Sequence, residues 1–441
     1  MSYFLNIRFY TLLIIFTVAG FAKSPAQSRL TLEEAVRIAL EKNYNIKLVS
    51  NNLQINKNDL DYALPALLPR VTGNLSTNNN IQNTEQTLRS TGNSESRNDA
   101  KNSSTSYGVN LNWLVFDGFA MFARFDQLKE FQKLGESNLR LTVLNTISDV
   151  VTTYYDLVQQ QKQINATDTA LGISRFRVKT AQTRFKMGKA SRLEVLAARV
   201  DLNTDTTNLL RQKDTFRRTQ ISLNELLARN VNAVFTVTDS IGIDKSLDLK
   251  TLSDHAGKQN PTLQSSLISR RIAELNLSQV KASRYPSVSV FSGYNFNRSK
   301  SELSFATQSK GQGFNYGLTG TLNIFGGLQQ RKNEKNAALE IENAVIDYQR
   351  ISGNINSQLF SLFHNYITNL ELVKLEEANQ KIAKQNLDIT LEKFRLGSIA
   401  PIEFREAQRN FVEATVRFSN AQYQAKIAEI SLKEIAGNQR L

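Results

Sequence analysis

Arg184-Phe-Lys-Met-Gly188-Lys-Ala-Ser-Arg-Leu-Glu194-Val-Leu-Ala-Ala-Arg199 returns later in the chain as Lys393-Phe-Arg-Leu-Gly397-Ser-Ile-Ala-Pro-Ile-Glu403-Phe-Arg-Glu-Ala-Gln408. Both copies read basic residue, Phe, basic residue, large apolar residue, Gly, and both carry a Glu at the sixth position after that Gly. Gly accepts the left-handed conformation that ends a helix. Ser191-Arg-Leu-Glu194 has the form of a capping box that starts the next one. The stretch therefore predicts a tight turn reversing a long helix, made twice.

The flanks agree with that turn. From Phe119 to Lys186 there is no Pro, and only Gly135 and Gly172 interrupt strong helix formers. Leu139, Val143, Ile147, Val150, Tyr154 and Leu157 mark an apolar stripe at helical steps. Roughly 68 residues at about 1.5 Å each make a rod of about 100 Å. Such a rod cannot bury its stripe in a compact globule and needs partner helices. Two shorter helices, expected at 31–64 and 191–229, have the combined length to cover it. The first opens on Thr31-Leu-Glu-Glu34, another capping box, and is expected to break near Asn43 and stop before Pro65 and Pro69.

Between these helices the period changes. Val71, Gly73, Leu75, Thr77, Asn79 and Ile81 alternate with polar residues, and alternation resumes at Tyr107, Val109, Leu111, Trp113 and Val115. Strands are expected at 71–83 and 105–116, with one apolar face ending in aromatics and one polar face carrying Asn110 and Asn112. A lipid-facing barrel strand has this pattern, and so does a half-buried strand of a soluble sandwich.

The cycle then repeats. Asn43 and Pro69 match Asn260 and Pro286 at one offset, while Tyr107, Phe116, Gly118 and Gly188 match Tyr316, Phe325, Gly327 and Gly397 at another. The difference falls in a shorter second hairpin loop. The expected organisation is a first repeat over 27–229, a mixed linker of short strand and loop over 230–250, and a second repeat over 251–441. The second repeat holds a helix at 251–284, strands at 287–298 and 314–325, a long helix at 328–396 and a return helix at 400–435. Each half reads helix, strand, strand, long helix, helix.

Composition narrows the function. The chain has 441 residues, no Cys and only two His, His255 and His364, neither at metal-ligand spacing with another ligand. Disulfides and thiolate chemistry are excluded, and no metal, cofactor or catalytic residue is expected. A periplasmic hydrolase is disfavoured, because no P-loop, G-x-S-x-G or H-E-x-x-H occurs. The formal net charge is +14. The basic residues are interleaved with acids along helical faces, which speaks for a solvated surface and against a nucleic-acid partner. Arg8, the apolar run Phe9 to Ala22, and small residues at Ser24 and Ala26 suit a secretory signal peptide over 1–26. No later segment approaches a membrane-spanning helix, so a membrane would have to be crossed by strands. Four two-faced strands cannot close a barrel, and a bilayer leaves no edge unpaired. Copies of the chain would have to pool their hairpins, in multiples of four strands. Without a membrane, the same long helices would serve as a structural periplasmic coiled-coil scaffold that transports nothing.

At this point the chain resembles the TolC-like outer-membrane efflux protein family over essentially the whole length after the leader. The matching features are the tandem repeat, Leu30-Thr-Leu-Glu-Glu-Ala35 with Asn43, Pro69 and Pro286, Phe116-Asp-Gly118 and Phe325-Gly-Gly327, and the two Gly-centred turns. The resemblance implies a homotrimer with a twelve-strand β-barrel in outer-membrane lipid and a twelve-helix α-barrel tunnel in the periplasm. It also implies docking through a periplasmic adaptor protein onto an inner-membrane transporter. The membrane aromatic face would then comprise Tyr107, Trp113, Tyr294, Phe296, Phe314 and Tyr316. In the family the turns form the tip that meets the adaptor, which nominates Arg184, Met187, Gly188, Leu396 and Gly397. The family closes its periplasmic end with inward carboxylates at the sixth and ninth positions after the second turn Gly, here Glu403 and Glu406. Three copies would gather six carboxylates around one constriction, favouring cations. Both acids also have a local explanation, in the helix dipole and in Arg405 and Arg409. Glu194 is a further candidate for this gate, although its capping box already accounts for it. One departure is plain: some members latch this end with an Arg two residues after the second Gly, where this chain has Ile399, and with a Tyr where it has Phe394.

Overall fold

The computed structural model describes residues 28–437 apart from 65–66, 88, 90–91, 238–239 and 303–305. The expected signal peptide lies outside the described residues. The elements are β1 (Ser28–Arg29), α1 (Leu32–Lys42), α2 (Tyr44–Asp61), β2 (Arg70–Thr87), β3 (Ser94–Asp117), α3 (Ala120–Lys186), α4 (Arg192–Leu226), β4 (Phe235–Thr236), α5 (Leu249–Gln259), α6 (Pro261–Ala282), β5 (Ser287–Ser301), β6 (Gln308–Thr321), α7 (Gln329–Arg395) and α8 (Pro401–Ile435). The two long helices α3 and α7 have 67 residues each, and the return helices α4 and α8 have 35 each. No described helix is long and apolar enough to cross a membrane.

The chain divides into two compact units. One comprises the described residues up to 48, 140–260 and 353–437, and is mostly helical. Its main apolar core gathers Leu30, Tyr154, Leu157, Leu223, Phe235 and Ile430. Tyr154 lies in it because its hydroxyl has a partner, donating to the Leu30 carbonyl at 3.0 Å; a buried phenol without one would cost stability. A second cluster contains Leu252, Leu359, Tyr366 and Leu432, and the Tyr366 hydroxyl donates to the Asp244 carbonyl.

Two asparagines explain how the helices of this unit are joined. Asn43 separates α1 from α2. Its Oδ1 accepts from the backbone N–H groups of Asn45 at 2.9 Å and Ile46 at 3.2 Å, capping α2. Its Nδ2 donates to the Leu226 carbonyl at 2.9 Å, satisfying the open C-terminus of α4. Asn260 follows α5 and donates in the same way to Ile435, the last residue of α8, at 2.9 Å. The expected helix at 251–284 is therefore two helices. Pro261 takes the first position of α6, where its missing N–H costs nothing. The first of the two begins earlier than expected, because Asp248 caps α5 by accepting from the Thr251 N–H at 3.0 Å.

The linker expected at 230–250 holds the two-residue strand β4, which pairs in parallel with β1, and α5 starts within its last residues at Leu249. It is fastened to α8 by Glu429, which is 1% exposed. That carboxylate accepts from the Asp244 N–H at 2.9 Å and from Lys426 at 2.9 Å and Lys433 at 2.8 Å, so its buried charge is compensated.

The other unit, residues 49–139 and 261–352, carries a four-stranded antiparallel sheet of order β2-β3-β5-β6. Its register puts Leu75, Tyr107 and Phe296 in one row, and Gly73, Val109, Tyr294 and Phe314 in the next. Val71, Leu111 and Tyr316 follow, then Trp113, Val290 and Leu318. These rows share one face. An irregularity between Leu114 and Phe116 skips Val115 and brings Phe116 opposite Val288, back onto the apolar face. The opposite face is polar. Asn110 donates to Asn74 at 2.7 Å, and Asn295 reaches Asn110 at 3.2 Å and Asn315 at 3.3 Å, an amide chain across all four strands. Gly108 and Gly293 make room for it: a Cβ at either would stand 2.2–2.3 Å from an asparagine Oδ1.

The strands depart from expectation at their ends. β2 and β3 run well beyond 71–83 and 105–116, because Ser, Thr and Asn pairs such as Thr87–Ser94 continue the ladder after the apolar alternation stops. β5 likewise runs past 298, to Ser301. β6 starts before 314 and ends at Thr321 instead of 325. Thr321 pairs Ser287, and the residue before Ser287 is Pro286, so β5 offers no further partner.

Candidate functional site

Both Gly-centred turns have one hydrogen-bond scheme. At the first, the Gly188 N–H donates to Phe185 at 2.9 Å and the Lys189 N–H to Arg184 at 2.8 Å. At the second, Gly397 donates to Phe394 at 3.0 Å and Ser398 to Lys393 at 2.9 Å. This is the Schellman arrangement, which needs a left-handed residue; the two glycines have φ of 70° and 74°. No atom crowds the position of a Cβ at either one. The requirement for Gly is thus one of backbone conformation alone.

The restarts differ. α4 is capped by Ser191, whose Oγ accepts from the Glu194 N–H at 3.2 Å. α8 follows Ala400 with no side-chain cap and has Pro401 in its first turn. An apolar staple replaces the missing cap. Phe394 and Phe404 stack at 4.8 Å with an interplanar angle of 10°, both almost fully buried. Leu387 completes the cluster, and Ile399, Leu391 and Phe411 pack against it. Ile399 and Phe394 thus both belong to one apolar cluster.

The acids singled out from the sequence are placed as follows. Glu403 and Glu406 are exposed on α8. Glu406 accepts from Arg409 at 2.7 Å, a pair more than half exposed on both sides and worth little. Glu194 is partly buried, and its Oε1 is buried without a hydrogen-bond partner among the described residues. Arg405 does not serve Glu403, contrary to the local pairing the sequence suggested. It crosses to α4, donating to both carboxylate oxygens of Asp205 at 2.7 and 2.9 Å, with Asp201 at 3.7 Å. Arg177 of α3 also pairs with Asp201, and Ser174 donates to Asp205 at 2.6 Å. The hydrogen bonds from Arg405 to Asp205 hold its guanidinium above its ordinary pKa. Gln408 ties in by donating to the Ala170 carbonyl at 2.6 Å and to Ser174 at 2.9 Å. This network joins α3, α4 and α8 and was not found from the sequence, since Asp205 and Arg405 stand 200 positions apart.

The turn residues converge. Arg184, Met187, Leu396 and Gly397 line one groove of about 570 Å³ between the two turns, with Phe176 and Phe394 in its walls. Met187 is 57% and Leu396 82% exposed, so two apolar side chains stand out in a lining that also carries Lys179, Arg184, Lys189 and Arg395. Gly188 belongs to the first turn but is not among the lining residues.

The six aromatics nominated as a membrane face fall on the apolar side of the sheet. Tyr107 stacks on Phe296 at 5.0 Å, and Phe296 meets Tyr294 edge-on at 5.1 Å. Phe314 lies 5.7 Å from Tyr316. The Trp113 indole N–H donates to the Leu67 carbonyl at 2.8 Å, leaving its ring on the apolar side. Tyr316 is 78% exposed, as an uncovered apolar face requires.

Comparison with known proteins adds three findings. The model of the family described as outer membrane efflux protein matches residues 35–229 and 252–438. Outer membrane protein TolC of Vibrio cholerae is 18% identical over 375 residues, covering 84% of this chain and 82% of that protein. Among solved structures, the Campylobacter jejuni CmeC outer membrane channel is similar with a TM-score of 0.72 at 21% identity, over 92% of this chain and 85% of that one. The outer-membrane channel OprN gives 0.74 at 15% identity, over 92% and 90%. The open state of the Neisseria gonorrhoeae MtrE outer membrane channel gives 0.71 at 14%, over 92% and 89%.

Proposed function

The chain belongs to the outer membrane efflux protein family, and from that premise we propose that three copies close a twelve-strand barrel in lipid and a twelve-helix tunnel. It is an efflux channel of the outer membrane. The observation that carries the assembly is the sheet: four strands, apolar on one face and polar on the other, with β2 and β6 left as edges among the described residues. A bilayer tolerates no unpaired strand edge, and β6 of one copy beside β2 of the next removes both. The element series from α1 to α4 recurs from α5 to α8, which supports a protomer built by tandem duplication.

The passage is passive. An inner-membrane transporter supplies the energy and a periplasmic adaptor protein connects the two. The groove bearing Arg184, Met187, Leu396 and Gly397 is the adaptor contact, with Gly188 shaping the turn beside it, because Met187 and Leu396 are exposed among basic side chains and its position between two turns suits a helical hairpin. Glu403 and Glu406, three residues apart on one exposed helical face, form a carboxylate ring when three copies meet. The buried unpartnered oxygen of Glu194 takes a donor from a neighbouring copy. The apolar staple at the second turn and the Arg405–Asp205 pair hold the aperture in one state.

Conductance of the purified protein in planar bilayers, with its mass determined natively, tests this reading. A trimer that conducts ions is expected. A soluble rod with no conductance under any condition would instead make the protein a periplasmic coiled-coil scaffold.

A further inference from the structure

A cavity of about 450 Å³ lies between α3, α4 and α8, next to the Arg405–Asp205 pair. Ala170 of α3, Val412 of α8 and the methylene stems of longer side chains give it apolar surface. Its size falls within the ordinary range of small-molecule sites, about 300–1,000 Å³. Two of its lining residues carry a buried polar atom with no hydrogen-bond partner among the described residues, the Thr167 hydroxyl and Gln212 Oε1. Thr167 is 5% exposed.

Thr167 differs from the helical threonines near it. Thr169 donates to the carbonyl four residues back, that of Asn165, at 2.9 Å, and Thr204, which also lines the cavity, donates to Val200 at 3.0 Å. Thr167 makes no such bond. A buried polar group without a partner is costly, and folded proteins hold few of them. Two in one cavity mark positions whose partners come from outside the chain. Gln212 Oε1 only accepts, so an occupant must donate to it, whereas the Thr167 hydroxyl serves either way.

The charges around the cavity decide the sign of that occupant. Asp205 is taken up by both arms of Arg405 and by Ser174. Arg409 pairs with Glu406 at 2.7 Å and with Glu413, also in the lining, at 3.8 Å. Among the described residues Arg211 is the charged lining residue left without a counter-ion, and it is exposed, on the solvent side of the cavity.

We propose that this cavity binds a small organic acid with an apolar body and a hydrogen-bond donor. Its carboxylate meets Arg211, its body lies against Ala170 and Val412, and its hydroxyl or N–H reaches Gln212 Oε1 and Thr167. The cavity belongs to one compact helical unit, so the site stands apart from the barrel and from the adaptor groove. A ligand there bridges α4 and α8 beside Arg405 and strengthens the hold of one helix on the other.

The test is calorimetric titration of the full-length protein in nanodiscs with three probes. 4-Hydroxybenzoate carries the acid, the apolar ring and the donor; benzoate lacks the donor, and 4-hydroxybenzamide lacks the charge. Saturable binding of 4-hydroxybenzoate is expected, with each of the other two weaker by about tenfold. Arg211→Gln and Thr167→Val are each expected to weaken 4-hydroxybenzoate by about the same factor. Without ligand, Thr167→Val is expected to keep or raise the thermal midpoint, because it removes an unsatisfied buried hydroxyl, so its lost affinity does not reflect unfolding. Absence of saturable binding by any probe, equal affinity for benzoate, or undiminished binding by both variants would overturn the site. None of these readouts involves conductance, so that result leaves the channel reading intact, and a wild-type protein that fails to conduct leaves the site intact.

Discussion

Replacing Phe404 by Ala should unfasten the second turn while sparing the first. Phe404 is 0% exposed and stacks on Phe394 at 4.8 Å. Phe→Ala in a packed interior costs about 3–5 kcal/mol, of which the ring stack supplies about 0.5–1.5. The turn borders solvent and can partly collapse, so the lower end, about 3 kcal/mol, applies. That corresponds to roughly a 150-fold rise in the locally open population. Hydrogen–deuterium exchange on the assembled protein reads it directly, with peptides over 387–411 expected to lose protection by about that factor. Peptides over 183–199 should be unchanged, since the apolar cluster beside that turn is a separate one, around Ala181, Val195 and Ala198. Because the latch is apolar, raising salt from about 50 to 500 mM should leave the effect unaltered, whereas an ion-paired latch would loosen. Equal acceleration at both turns, or none at 387–411, would refute the staple.

Three further outcomes follow from the site. Arg405→Met strands the Asp205 carboxylate among Ser174 and Asp201 and should cost about 2–3 kcal/mol, discounted from the fully buried case for partial exposure; adding Asp205→Asn should recover at least half, read by thermal unfolding in a double-mutant cycle. Glu403→Gln with Glu406→Gln should weaken block of conductance by multivalent cations, and unchanged block removes the carboxylate ring. Tyr423 has its pKa raised to about 12, first by burial and then by Asp156. Its neutral form is the one the fold favours, so its contribution is complete below about pH 10 and is lost as pH rises from there toward about 12. Tyr423→Phe should therefore move the alkaline unfolding midpoint upward, as followed by circular dichroism.

Helix reversal was legible in the sequence because its cause is local. Gly188 and Gly397 must be left-handed, and a Gly between two helical runs with no Pro beyond a first turn says so directly. The two-faced strands were legible for the same reason, since alternation is a property of neighbouring residues. The strand ends were not. Beyond Ile81 the ladder continues through pairs such as Thr84–Arg97 and Thr87–Ser94, where both faces are polar and hydropathy carries no period. Asn43 and Asn260 were visible as matched positions, but the hydrogen bonds their side-chain amides donate to the Leu226 and Ile435 carbonyls close helix ends 183 and 175 residues away. The Arg405–Asp205 pair was hidden by the same separation, and the nearer acids Glu403 and Glu406 drew the local assignment instead.

The inequality of the two turns has a consequence for how such an aperture would move. At the first, a polar cap at Ser191 works beside a small apolar cluster of Ala181, Val195 and Ala198, and one Glu194 oxygen is buried with no partner among the described residues. At the second, Phe394, Phe404 and Ile399 fasten by burial, with no charge involved. A change in protonation or ionic strength acts on the first kind of contact and leaves the second alone. The return helix α8 is held by the staple at Phe404 and by the ion pair of the adjacent Arg405, so loosening it requires a force that strips apolar surface and breaks a bidentate ion pair together. A partner seated in the groove that both turns share would lie against Phe394, and would be better placed to supply that force than a change in the solvent.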